Sequence, residues 1–247
     1  MERYDRKFYD DLRDTALPSA SCIAPILRGL MTIDSVVDVG CGNGAWLAAF
    51  AEAGASRILG VDGAWIESDQ LLIPRECFRR LPLSEPVVLA ERFDLAMSLE
   101  VAEHLPPERA AAFVSELCAL APVVLFSAAI PEQGGLNHVN EQWPEYWADL
   151  FRGSGYLAID TLRFLLWDDP GVTWWYKQNL LIFADPEALA VHPRLAAAQT
   201  ATRTPLLALV HPERYMMAVR DARPSFGKWL RRGPLALQAS LAKHRRK

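Results

Sequence analysis

Residues 38–50 read DVGCGNGAWLAAF, which sets Gly40, Gly42 and Gly44 within five positions between an apolar run and a helical pattern. Glycine weakens strands and helices alike, so such a cluster marks a turn with unusual backbone, or one that something lies close against. The run before it, residues 35–39, is short and apolar, as a buried strand is. The run after it, residues 45–53, turns Trp46, Leu47 and Phe50 to one side of a helix that Gly54 ends. A helix starting at such a turn offers free N–H groups and a partial positive charge to an anionic group. Asp62 stands twenty-two residues after Gly40 and closes a second strand, 57–61. An acid there can accept hydrogen bonds from both hydroxyls of a ribose. The turn and the acid together specify an adenosine-containing ligand better than either does alone.

Outward from this stretch, strand and helix patterns alternate. Residues 1–32 read as helical, with Tyr4, Phe8, Tyr9 and Leu12 at helical spacing, and could fold over the ligand as a lid or pack against the sheet edge. A weak third strand falls near 77–81, a fourth at 93–98 and a fifth at 123–128. Helices are expected over 107–120, opened by Pro106-Pro107, and over 144–152. Two last strands, 157–163 and 180–184, are joined by the aromatic-rich WDDPGVTWWYKQN of residues 167–179. Alternation through five strands implies a parallel sheet covered on both faces, with ligands at the strands' carboxyl ends. The expected organisation is a helical lid over 1–34, a binding core over 35–184 and a helical, partly disordered extension over 185–247.

GCGNGA, residues 40–45, also fits the G-x-G-x-x-A pattern of dinucleotide-binding proteins, so an NAD-linked oxidoreductase is one reading. Two details argue against it. Asp38 stands inside the strand end, where dinucleotide folds usually keep an apolar residue, and the fourth strand runs into FDLAMSLEVAEHLPP, residues 93–107. VVDVGCGNG, GVDG and FDLAMSLEVAEHL, in that order and spacing, resemble the motifs of the class I S-adenosylmethionine-dependent methyltransferases. The resemblance covers residues 35–184. It implies a Rossmann-like, doubly wound α/β fold: a mostly parallel seven-stranded sheet, helices on both faces and an antiparallel last strand. It implies S-adenosylmethionine (SAM) as cofactor. Asp38, Gly40, Gly42 and Gly44 would surround its methionine part, Asp62 would hold the ribose, and Gly63, Ala64 and Trp65 would flank the adenine. Ser98, Leu99 and Glu100 would lie beside the sulfonium. Many relatives carry an acid after the third strand for the adenine amino group. Here that region reads FRRLPLSEP, with Pro82 near the place, which leaves adenine to backbone and apolar contact.

Methyl transfer to a hydroxyl needs alignment, exclusion of water and removal of a proton. His138 and His104 are the candidate catalytic residues. His138 lies in IPEQGGLNHVNEQWPEYW, residues 130–147, where it is either a base or a loop-structuring histidine bonded to backbone. Asn137, Asn140, Glu141 and Gln142 surround it with groups suited to a polyol. The stretch resembles a bacterial methyltransferase subgroup associated with glycan and secondary-metabolite pathways, which points to a sugar or small-molecule acceptor. Trp143, Trp147, Leu150 and Phe151 form a core-facing stripe or a pocket wall. Trp174, Trp175 and Tyr176 either stack on the acceptor or pack a hairpin over the sheet. Glu100 and His104, four apart, could share a helix face and meet His138 at a metal, but no complete ligand cluster supports that. The expectation is no metal, with His104 shaping the pocket and Glu103 a solvated acid. His192 and His211, each before a proline, read as surface turn residues.

Four scattered cysteines without a CxxC pair suit a reducing cytoplasm and carry no zinc signature. The charged N-terminus lacks a signal-peptide pattern, and no apolar run is long enough to span a bilayer. Residues 222–247 hold eight Lys/Arg and no acid, on an otherwise acidic chain of net charge −4. That tail is a solvated end, or, with Trp229, Leu230, Leu235, Leu237 and Leu241 as an apolar face, a contact for anionic lipid. Nothing in the acidic body suggests a nucleic-acid substrate. An N- or C-methyltransferase and a noncatalytic cofactor-binding protein remain the alternatives to O-methylation.

Overall fold

The computed structural model describes residues 6–63, 68–203 and 206–222. Its element order begins with helix α1 (Arg6–Leu30), strand β1 (Ser35–Val39), helix α2 (Ala45–Glu52) and strands β2 (Arg57–Asp62), β3 (Phe78–Arg80) and β4 (Leu95–Leu99). Helix α3 (Ala110–Leu120), β5 (Val123–Ser127), α4 (Pro144–Gly153) and β6 (Leu157–Ile159) follow. The chain then continues through α5 (Leu162–Leu166), α6 (Trp174–Asn179), β7 (Leu181–Ala184), α7 (Pro186–Val191), α8 (Pro193–Ala201) and α9 (Pro212–Ala222). The seven strands form one sheet in the order β3-β2-β1-β4-β5-β7-β6. The β1–β5 strands pair in parallel, and β7 runs antiparallel to both its neighbours. Strand order reverses between β1 and β4, and in such sheets the crevice at that reversal binds the ligand.

The strands are apolar throughout because both faces are covered, and successive residues point to opposite faces. Val36, Leu95, Met97 and Leu125 meet α1 and α2 through Ile23, Leu27, Leu47 and Phe50. Val37, Ala96, Val124 and Phe126 meet α3 and α4 through Phe113, Leu117, Trp147 and Phe151. The Phe151 and Phe183 rings stack at 3.8 Å, and the Tyr156 hydroxyl donates to the Cys118 and Ala121 carbonyls, both at 2.7 Å, closing the end of α3.

Several sequence expectations need correcting. The strand expected over 157–163 stops at Ile159, and Leu162–Leu166 is helical. Arg163, expected at its end, is instead fully buried. The aromatic connection of residues 167–179 is no hairpin: Trp174–Asn179 is a helix whose Thr173 backbone and hydroxyl are tied to Ser19 of α1. Trp143 is 43 % exposed, so the stripe along α4 faces the core through Trp147, Phe151 and the partly buried Leu150. His211 is buried rather than a surface turn residue, and its Nδ1 accepts the Glu213 amide at 3.3 Å.

The chain divides into two compact units, Met1–Leu209 and Val210–Lys247, a later boundary than the 184/185 expected from sequence. In the first, Leu195 of α8 is fully buried in the same core as β1 and α1. In the second, α9 exposes Tyr215, Met216 and Met217. All four cysteines are free thiols. No helix among the described residues is long and apolar enough to cross a membrane. Tyr4, the side chains of Phe8 and Tyr9, residues Ala64 and Trp65, and the basic tail lie outside the described residues.

Candidate active site

The glycine turn is built as much by the protein's own packing as by room for a ligand. Gly40 and Gly44 have φ of +87° and +83°, where L-residues are strained. A β-carbon on Gly40 would run into the Val101 side chain, and one on Gly44 would meet Ile73 Cγ1 at 2.9 Å. Gly60, inside β2, leaves space for Cys41 and Leu47. The bare backbone expected to meet a ligand is therefore partly explained by close approach of the turn to β2 and β4. Gly40→Ala is expected to cost about 2–4 kcal/mol, from left-handed backbone and overpacking against Val101 together. A urea titration measures it; a loss under 1 kcal/mol would mean that Val101 moves freely.

The turn borders a cavity lined by Asp38, Gly40, Gly42, Trp46, Leu99 and Tyr176, together with Ala16 of α1. Its walls come from the carboxyl ends of β1 and β4 and from α1, α2 and α6, so the reversal of strand order is where it opens. Asp38 is 2 % exposed, and no protein donor reaches its carboxylate among the described residues. Burial, and then the neighbouring Asp62 charge, push its pKa well above the usual carboxylate range. Asp62 is buried too, but its oxygens accept the Gly42 amide at 2.7 Å and the Gly63 amide at 2.6 Å. The acid is thereby fixed against the loop it faces. Trp46 Nε1 donates to the Tyr176 hydroxyl at 3.3 Å, which puts Tyr176 on the glycine-turn side of the site. Trp174 and Trp175 stay half-buried, their rings T-shaped at 5.5 Å.

Ser98, expected beside the sulfonium, is fully buried and donates its hydroxyl to the Val39 carbonyl at 2.9 Å. It ties two strand ends together. Leu99 does line the cavity. Glu100 follows with φ of +55°, a conformation a glutamate rarely takes. Its amide meets Ser127 Oγ at 3.1 Å, and its carboxylate accepts Asn179 Nδ2 at 3.1 Å and Gln133 Nε2 at 3.0 Å. Burial raises its pKa, and these hydrogen bonds hold the rise back. Backbone strain held in place by such a network is typical of functional sites.

Beyond Glu100 the chain makes one 3-10 turn, Ala102–His104, rather than the helix that would have put Glu100 and His104 on one face. Glu103 is not solvated: it is fully buried, Oε1 accepts the Ala129 amide at 3.2 Å, and Oε2 has no hydrogen-bond partner among the described residues. Burial, with Glu100's charge behind it, raises its pKa well above the usual range. The Glu103 carbonyl accepts the amides of Val139 and Asn140 at 2.9 and 3.0 Å, which laces the turn to the loop after β5. His138 in that loop bonds Glu141 Oε1 through Nδ1 at 2.8 Å and lies over Gly135, where a β-carbon would strike the ring. The His104 and His138 rings meet edge to face at 4.8 Å. Burial, then His138, pull the His104 pKa down to about 4, against the effect of its bond to the Asn137 backbone. Asn137 is exposed with φ of +58°, whereas Asn140 is buried, with Oδ1 accepting Gln142 Nε2 at 3.0 Å.

Reading the sequence missed Gln133, Gln178 and Asn179. The signal was present: KQN, residues 177–179, is a polar run directly before an apolar strand. Because β7 is antiparallel, its start lies at the carboxyl edge of the other strands, beside the site.

Residues 1–177 match the family described as "Methyltransferase domain". The chain belongs to that family and is a SAM-dependent methyltransferase, which closes the NAD-linked reading of the glycine turn. No curated protein is recognisably similar in sequence. Among solved structures the fold is like that of magnesium protoporphyrin IX methyltransferase (ChlM) from Synechocystis PCC 6803 with bound SAH, at 18 % identity and TM-score 0.53 over 75 % of this chain and 89 % of that one. It is also like SAM-bound CalS10, an amino pentose methyltransferase from Micromonospora echinaspora, at 15 % identity and TM-score 0.53 over 74 % of this chain and 98 % of that one. The sugar N-methyltransferase KedS8 from Streptoalloteichus sp ATCC 53650 matches at 12 % identity and TM-score 0.57 over 75 % of this chain and 94 % of that one.

Proposed function

We propose that this methyltransferase transfers the methyl group of SAM to a hydroxyl oxygen of a small-molecule or sugar-type acceptor, with His138 taking the hydroxyl's proton. The observation that carries this reading is the His138–Glu141 pair. A carboxylate on Nδ1 fixes the ring's tautomer and leaves Nε2 to accept a proton, in the loop that follows the carboxyl end of β5. As the oxygen attacks in line, the O–CH3 bond forms while the S–CH3 bond breaks. The sulfonium leaves as a neutral thioether and the proton passes to Nε2.

On the cofactor side, Asp38 pairs with the ammonium of the methionine part, Gly40, Gly42 and Gly44 pass beside it, and Asp62 and Gly63 take the ribose and adenine end. Leu99 and Glu100 border the sulfonium. The Asn137–Gln142 loop and the exposed Trp143 offer hydrogen bonds and a ring face to a sugar. An amine acceptor is the second reading, favoured by the likeness to a sugar N-methyltransferase and an amino pentose methyltransferase.

The test is isotopically labelled SAM with panels of hydroxylated and amino sugars, read by mass spectrometry. His138→Ala is expected to lower turnover with a hydroxyl acceptor about a hundredfold, with S-adenosylhomocysteine binding unchanged. Full turnover in that variant removes His138 from the role. Product only on amines moves the assignment to nitrogen.

A further inference from the structure

Beyond this activity, we propose that Glu103, His104 and His138 form a binding site for a divalent cation of the zinc class. Two histidines and one carboxylate are a common catalytic zinc set, with the fourth position open to a ligand oxygen. Here one nitrogen from each histidine and one Glu103 oxygen all lie within 4.8 Å of one another. In a tetrahedral zinc shell with bonds of about 2.1 Å, ligand atoms stand about 3.4 Å apart. The side chains therefore need to converge by about 1.4 Å on the longest edge, a movement that side-chain rotations supply.

Two independent features point to a ligand. First, Glu103 is fully buried, and its Oε2 has no hydrogen-bond partner among the described residues. A buried carboxylate so placed is costly, and buried charges are ordinarily paired or bound to a metal. Second, His138 is already held as a metal-binding histidine is, with its other ring nitrogen on a carboxylate, Glu141 Oε1 at 2.8 Å. The backbone favours the same end. The Val139 and Asn140 amides donate to the Glu103 carbonyl, so the segments carrying the three ligands are fastened to each other. The residues nearest in sequence that miss the site have other partners: Glu100 is taken up by Asn179 and Gln133.

An ion here would occupy the lone pair that His138 otherwise offers to the acceptor's proton. Held by Glu103, His104 and His138, it would supply Lewis-acid polarisation to an acceptor oxygen in the open position. Binding of the ion does not depend on O-methylation, so the site is tested apart from it.

The full chain is stripped with chelator, dialysed against Zn2+ alone, and analysed for metal; Zn2+ calorimetry follows on the wild type and variants. One zinc per chain is expected. Glu103→Gln, His104→Ala and His138→Ala each weaken binding tenfold or more, Glu141→Gln weakens it about tenfold, and His192→Ala, outside the cluster, leaves it unchanged. Thermal melts of the same variants separate loss of the ion from loss of the fold. A wild-type chain that retains no zinc, or a folded Glu103→Gln chain with wild-type affinity, overturns the site. S-adenosylhomocysteine binding and labelled methyl transfer on the same samples report separately on the proposed methyl transfer.

Discussion

Asp38→Asn is expected to weaken S-adenosylhomocysteine binding by about 2 kcal/mol or more, roughly thirtyfold, while making the ligand-free protein more stable at neutral pH. Both effects have one cause. The Asp38 carboxylate sits 2 % exposed at the cavity wall, with no donor to it among the described residues, and burial raises its pKa, with Asp62 adding to the rise. A carboxyl whose folded pKa lies above its unfolded value stabilises the fold below the unfolded pKa, and that contribution is lost as pH rises through the folded pKa. Ligand-free wild type is thus penalised for ionising Asp38, and asparagine removes the penalty. The cationic ammonium of the ligand reverses the balance by compensating the carboxylate. Wild-type affinity therefore rises with pH across the range in which free Asp38 ionises, whereas the variant's stays flat there. Calorimetry and thermal melts on both proteins over a pH series decide it. Equal affinity in the two proteins places the ammonium elsewhere.

The parts of this fold legible in the sequence were those fixed by local rules. The glycine turn between β1 and α2, the acid ending β2 and the alternation of strands follow from backbone sterics and period-two burial, which a sequence displays directly. Asp38 was legible for the same reason: a carboxylate inside an apolar strand end is conspicuous. What escaped depends on pairings far apart in the chain. Glu103 looks like one solvated acid among many until β5 and its loop cover it. Asn179 and Gln178 reach the site because β7 is antiparallel, a fact that residues 177–184 do not carry by themselves. Ser98 shows the converse. Its hydroxyl bonds the Val39 carbonyl, a contact that only the pairing of β1 with β4 provides. Arg163 was the least legible. An arginine in a stretch that reads as a strand end looks solvated, and only the turn into α5 carries it inward.

Arg163→Met is expected to destabilise the protein by about 3–5 kcal/mol. The guanidinium is fully buried and every nitrogen has a partner. Nε and Nη2 hold the two Asp160 oxygens at 2.7 and 2.5 Å, and Nη1 donates to the Gln178 and Leu207 carbonyls at 2.9 and 2.8 Å. Methionine fills much of the volume but strands a buried carboxylate and two carbonyls, and the stranded charge is the larger cost. Asp160→Asn/Arg163→Met should therefore recover a substantial part of the loss, because no ion is left unpaired. A double variant as unstable as the single one would assign the cost to the two carbonyls. The damage also reaches the site by a defined route. The Gln178 carbonyl that Arg163 holds belongs to the residue whose side chain donates to Gln133 and Asn179, both at 3.0 Å, and those two hold Glu100. Folded Arg163→Met protein, assayed well below its melting temperature, should lose turnover more than cofactor affinity. Asp38 and the glycine turn stay in place while the grip on Glu100 loosens.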